Sequence, residues 1–205
     1  QEMADGVERI YQLAADMGGM GFISSQHAVP YENSLRINLN MADAAKMAKA
    51  RILFSSSVCA YPTYRMAETR IEPIKESEMY PALPNENYGW EKLTAEHIYQ
   101  AYAADYGLDI RIARYDNTYG EETTYEGGRE KAPAAICRKV LLAKDEIDIW
   151  GDGKQTRAFL YVSDNVKATI SLMESDVREP VNIASNELVS IDDLVDVTCE
   201  IAGKK

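Results

Sequence analysis

Tyr88 and Lys92 stand four residues apart in the segment YGWEK, at the start of a stretch with helical spacing, so both side chains emerge on one face and meet. A tyrosine in water loses its proton only near about pH 10, and an adjacent ammonium favours the phenolate. Such a pair can exchange a proton with a hydroxyl. With 13 tyrosines in the chain, roughly 0.7 Tyr-x-x-x-Lys pairs arise by accident, so position has to carry the argument. The pair follows an apolar run that ends in Ser55, Ser56 and Ser57, and a hydroxyl there could share the substrate proton with Tyr88. The alternative is a surface i,i+4 pair beside a polar loop. Cys59, two residues beyond the serines, is by residue type equally a small core side chain.

The elements that must position these groups follow from hydrophobic spacing. Val7 to Ala15 reads as a buried strand feeding a loop, Asp16 to Gly21. Glu32 to Ala50 has near-helical spacing, and Ile52 to Val58 has strand length. A second helix is predicted after the turn Pro84 to Asn87. It runs to Tyr106 and stops at Gly107, with a strand Leu108 to Tyr115 beyond. This alternation favours a parallel sheet covered by helices. From Gly120 to Gly153 the texture turns to Gly, Glu and Pro, with a helix near Ala132 to Leu142. A strand Ala158 to Val162, a helix Ser163 to Met173, a strand Val181 to Ala184 and a helix opening at Ser190 complete the chain, the Ser190 hydroxyl serving as a cap.

Composition narrows the function. The 205 residues, 46% hydrophobic, can build a substantial core. No run approaches the roughly 20 apolar residues needed to cross a bilayer, and no secretion signal opens the chain. Cys59, Cys137 and Cys199 are too scattered for a disulfide framework or a zinc site, so no metal is expected and a cytoplasmic location is the simplest reading. A net charge of -11 argues against nucleic-acid and anionic-membrane partners. One phosphorylated small molecule remains compatible, because Arg129, Lys131, Arg138 and Lys139 cluster within eleven residues.

The order of LAAD (Leu13 to Asp16), SSSVCAYP (Ser55 to Pro62), YGWEK (Tyr88 to Lys92) and RYDNTYG (Arg114 to Gly120) resembles the extended short-chain dehydrogenases/reductases that act on nucleotide sugars, the NAD-dependent epimerase/dehydratase type. AADMGGMGFI, EGGREKAPAAICRK, WGDGKQTRAF and REPVNIAS look more specifically like the branch that epimerises GDP-mannose at C3 and C5. The resemblance implies that NAD oxidises the sugar at C4, that the ketone makes the C3 and C5 protons removable, and that reduction closes the cycle. It makes Tyr88 the base at the C4 hydroxyl, with Ser57 completing a triad and Lys92 holding the nicotinamide ribose. Ala14 and Ala15 join Tyr88 and Lys92 as cofactor contacts. Cys59 and Lys131 become the pair that inverts the carbons, since removal and delivery of a proton need groups on opposite sides. Met17, Gly18, Gly19 and Met20 look like the loop on the hexose. Asn117, Gln155 and Arg157 resemble substrate-holding positions, Arg157 facing the diphosphate, and Lys131 counts among the substrate contacts too.

The resemblance also breaks. The family opens with a Gly-rich strand-turn-helix for the cofactor pyrophosphate and an acidic residue for the adenosine ribose, and neither is in this sequence. The expectation is therefore a partial doubly wound parallel sheet of α/β class that enters at the fourth strand, an inactive fragment truncated at both ends. Residues 1–120 form the rest of the cofactor-binding domain, 121–160 a substrate-binding portion, 161–187 a helix and strand returning to the sheet, and 188–205 the start of a further helix. Asp116 stands where the family usually has histidine, and Glu121 where it has proline. Rival readings are a UDP-sugar 4-epimerase or 4,6-dehydratase, and a non-catalytic binding or assembly module. The strand Val7 to Ala15, left at an edge, and the helical stretch Leu93 to Tyr106 are expected to support a homo-oligomer.

Overall fold

Four strands form one all-parallel sheet in the order β1 (Arg9–Gln12), β2 (Arg51–Ser57), β3 (Ile110–Tyr115), β6 (Val181–Ile183). This computed structural model describes residues 6–66 and 72–204. Ile52, Leu53, Phe54, Ile110, Ile112 and Ala113 are buried almost completely, as expected of central strands covered on both faces. On one face lie α2 (Ala28–Ala48) and α4 (Glu86–Tyr106), which pack Ala42, Ala45, Ala95 and Tyr99 onto Ile52, Phe54, Ile110 and Ile112. On the other, α6 (Val162–Glu174) sets Leu172 and Met173 against Leu53, Ala113 and Ile183.

The predicted elements appear with shifted ends. β1 is shorter than the expected Val7 to Ala15 because Gln12 turns its amide onto the Ala14 carbonyl (2.9 Å) and the Asn38 side chain (3.1 Å), which draws the chain away from β2. The loop after it carries a short helix, α1 (Met20–Ser25), that spacing did not reveal. α2 begins four residues early, since Pro30 falls in its first turn, where no N–H is missed. α4 stops at Gly107, whose φ of 68° lies in the left-handed region. Ser190 caps α7 (Ile191–Ala202) by accepting from the Asp193 N–H.

A second sheet was not anticipated. β4 (Asn117–Tyr119) pairs parallel with β5 (Thr156–Tyr161), and β5 pairs antiparallel with β7 (Leu188–Ser190). Beside it α5 (Ala132–Leu142) and α7 share a small core of Ile136, Val140 and Ile191. The Lys204 ammonium closes the end of α5 on the carbonyls of Val140, Leu141 and Ala143, each at 2.8 Å. The first sheet leads into the second through one residue, Asp116, between β3 and β4. No described helix is long and apolar enough to cross a membrane.

Candidate active site

The parallel sheet ends in Ser57, and the chain turns at once into a single 3-10 turn, Val58–Ala60, started by the Ser57 hydroxyl accepting from the Cys59 N–H at 3.2 Å. The first turns of α4 sit directly on this turn because residue 89 is glycine: a Cβ there would lie 2.2 Å from the Cys59 carbonyl oxygen and 2.9 Å from Pro84. Gly89 thereby sets Tyr88 beside Ser57 and Cys59. Sequence reading missed this role, although a glycine inside a helix costs about 1 kcal/mol relative to alanine and so signals a reason. Gly89→Ala is expected to lower stability by about 1–2 kcal/mol, the backbone clash outweighing the helix gain. A urea titration showing a variant at least as stable as the parent would refute the contact.

The Ser57 hydroxyl lies close enough to the Tyr88 phenol to act on its ionisation. The phenol also reaches the Met17 sulfur at 3.9 Å, which brings the loop after β1 over the site. Lys92 is buried: its ammonium donates to the Ser55 carbonyl at 3.2 Å, lies 5.6 Å from the Tyr88 ring centre and stands 3.7 Å from the Glu91 carboxylate. Glu91 in turn accepts from Asn38 at 3.0 Å, and Asn38 accepts from Gln12 at the end of β1. A buried polar chain therefore runs from β1 to Lys92, and its members Gln12 and Asn38 carried no motif in the sequence.

Electrostatics at rest differ from the expectation drawn from charge pairing. Burial pushes the Tyr88 phenol far above its usual range, with the Cys59 charge adding to the rise and the Ser57 hydroxyl opposing it. Burial likewise lowers Lys92, with Glu91 opposing the shift. The Cys59 thiol is raised: burial comes first, and Asp116 adds to it, while the Ser57 contact and the charges of Lys131 and Arg157 pull the other way. Low polarity around a buried group disfavours its ionised form more than these charges favour it.

The remaining predicted positions arrive from the loop after β1 and from the second sheet. Lys131 is the exposed N-cap of α5, and Arg157 lies on β5. Both act electrostatically on Cys59, so the sequence-predicted pair Cys59 and Lys131 shares one neighbourhood. The loop Met17 to Gly19 is buttressed by the segment before α5: Gly19 N–H donates to the Arg129 carbonyl (3.1 Å), and the Arg129 guanidinium donates to the Met17 carbonyl (3.1 Å). A Cβ on Gly19 would sit 2.4 Å from the Glu130 carbonyl oxygen, so this close approach requires glycine. Gly18 is buried as well, while Met20 opens α1. Ala14 is exposed and Ala15 half-buried at the exit from β1. Asn117 opens β4, held by Asp116 and the Ala158 carbonyl. The Gln155 amide donates to the Trp150 carbonyl at 2.9 Å.

Residues 1–184 match the NAD dependent epimerase/dehydratase family. GDP-mannose 3,5-epimerase of Arabidopsis thaliana is 43% identical over 205 residues, all of this chain and 54% of that protein. GDP-mannose 3,5-epimerase 1 of Oryza sativa subsp. japonica is 44% identical over 197 residues, covering 96% of this chain and 52% of its own length. The chain thus spans about half the length of the curated relatives it matches. Among solved structures, UDP-glucose 4-epimerase of Thermotoga maritima with UDP-glucose superposes with a TM-score of 0.82 at 25% identity, over 97% of this chain and 62% of that one. UDP-glucuronic acid 4-epimerase of Bacillus cereus, in complex with UDP-glucuronic acid and NAD, gives 0.83 at 25% identity over 100% and 62%. With its parallel sheet and its match over most of its length, the chain belongs to the NAD-dependent epimerase/dehydratase family.

Proposed function

We propose that this chain carries the proton-transfer half of a nucleotide-sugar epimerase that inverts C3 and C5 of a GDP-mannose-like hexose. The observation that supports it most is the placing of Cys59 beside Ser57 and Tyr88, within the field of Lys131 and Arg157.

NAD, on which the family depends, supplies a hydride acceptor at the hexose C4 and returns that hydride at the end of the cycle. The nicotinamide ribose end fits these residues. Lys92 carries three N–H donors, of which one is on the Ser55 carbonyl, and the buried Glu91 Oε2 beside it has no hydrogen-bond partner. Lys92, Tyr88, Ala14 and Ala15 would hold that end. The Gly-rich turn for the pyrophosphate is not among the 205 residues, and for that reason the chain alone is expected to turn over no GDP-mannose.

Tyr88 accepts the proton of the C4 hydroxyl and Ser57 shares it, the usual division between a base and its hydrogen-bonded neighbour. Once C4 is a carbonyl, the C–H bonds at C3 and C5 are acidified. Cys59 then removes a proton from one face and the Lys131 ammonium delivers one to the other. Arg157 and the basic residues of α5 meet the diphosphate, and Met17 to Met20 lie over the hexose.

A ketone made beforehand tests the reading without any hydride step. The chain incubated in D2O with GDP-4-keto-6-deoxymannose, and no NAD, is expected to catalyse deuterium uptake at C3 and C5. Exchange no faster than in buffer would overturn the C3/C5 reading.

A further inference from the structure

We propose that Asp116 is a positioning residue that locks the Asn117 amide in one orientation, so that Asn117 offers a sugar hydroxyl a hydrogen-bond acceptor and no donor. The inference rests on the proposed nucleotide-sugar reading and on the substrate-holding position that the family resemblance gives Asn117. Asp116 is buried at the junction of the two sheets, with 9% of its surface exposed. Its Oδ1 accepts twice from Asn117, from the backbone N–H at 2.8 Å and from the side-chain Nδ2 at 2.7 Å. Nδ2 donates its second hydrogen to the carbonyl of Ala158 on β5 at 3.1 Å.

Both amide hydrogens of Asn117 are therefore spent on acceptor oxygens, one of the Asp116 carboxyl group and one of the Ala158 backbone. Turning the amide over would press its oxygen against both acceptors and lose both hydrogen bonds, which a protein interior penalises. An asparagine is normally ambivalent, since its oxygen accepts and its nitrogen donates. Here the choice is made by the residue before it. Oδ1 of the half-buried Asn117 is what remains for a ligand, and it suits an O–H or N–H. A ketone oxygen or a fluorine at the same place finds no donor. Asp116 acts from behind the amide, and the same negative charge reaches Cys59 on the other side.

The test uses the isotope-labelled 205-residue chain, with the side-chain amide of Asn117 assigned by its loss in Asn117→Asp. The two Nδ2 protons are expected to exchange with solvent at least tenfold more slowly than those of the exposed Asn186. Asp116→Asn and Asp116→Ser should abolish that protection while the backbone amides of β2 and β3 keep theirs, which separates loss of the lock from loss of fold. Exchange in the parent as fast as at Asn186, or protection surviving in either folded variant, overturns the lock. Calorimetry then compares GDP-mannose with its deoxyfluoro analogues, one hexose hydroxyl at a time. The parent is expected to prefer the hydroxyl at one position by about tenfold, and Asp116→Asn to lose most of that preference. Equal binding of every analogue by the parent overturns the acceptor assignment. No binding of GDP-mannose at all sinks the substrate reading instead, while the exchange measurement still decides the lock.

Discussion

Replacing Cys59 with alanine is expected to slow deuterium uptake at C3 and C5 of the GDP-4-ketohexose by about 10²–10⁴-fold, the range for loss of a positioned acid or base. Tyr88→Phe should leave that uptake within about threefold of the parent, since the ketone is already formed and Tyr88 acts only at the C4 oxygen. The contrast between the two variants is the useful quantity. The pH dependence has a defined sign. The active form of Cys59 is the thiolate, and burial raises the thiol above its ordinary range, so uptake should keep climbing as pH passes the value of about 8.5 at which a free thiol is half ionised. Lys131→Met, which removes a charge that favours the thiolate, should move the rise to still higher pH. Mass spectrometry of the recovered sugar reads all three variants. Uptake by Cys59→Ala equal to the parent would remove the thiol from the mechanism.

Replacing Arg114 with methionine is expected to destabilise the fold by about 3–5 kcal/mol, the cost of leaving a buried charge without its partner. Arg114 donates to both oxygens of Glu96, at 3.0 and 2.7 Å, with side-chain exposures of 6% and 2%. It also donates to the Tyr61 hydroxyl at 3.1 Å, and Tyr61 continues to Asn182 at 2.8 Å. Ser56 closes the network on Glu96. One guanidinium thus ties β2, α4, β3 and β6 together directly beneath the serines of the site. Glu96→Leu combined with Arg114→Met should recover much of the loss, because no charge is then stranded. The exposed pair Arg9–Glu174, at 2.8 Å, is the control, and its removal should cost no more than about 1 kcal/mol. Urea unfolding that finds the two arginines equivalent would contradict this account.

The sequence made the parallel layer readable because its strands are continuous apolar runs and its helices carry punctuation: Gly107 as a stop and Ser190 as a cap. β4 and β7 were not readable. Each has three residues, too few for a period, and each exists only through pairing with β5. The site divided in a similar way. Tyr88, Lys92 and Ser57 were singled out by the family resemblance more than by their spacing, whereas the shift of Cys59 was not readable, because burial at one atom is decided by segments far away in sequence. Gly89 was overlooked for the same reason: its constraint is the Cys59 carbonyl, some thirty residues earlier in the chain.

The first passage of the chain from one sheet to the other, through the single residue Asp116, separates two kinds of inheritance. Ser57, Tyr88 and Lys92 belong to the parallel sheet and α4, while Lys131 and Arg157 belong to α5 and β5. The exposed stretch from Glu121 to Arg129 lies wholly on the second side of that junction. Insertions or substitutions there can reshape what lies over the sugar while the tyrosine, the lysine and the strand beneath them stay in register. On the function proposed above, a lineage built this way can diversify its sugars by altering one module and leave the chemistry at C4 as ancestral property.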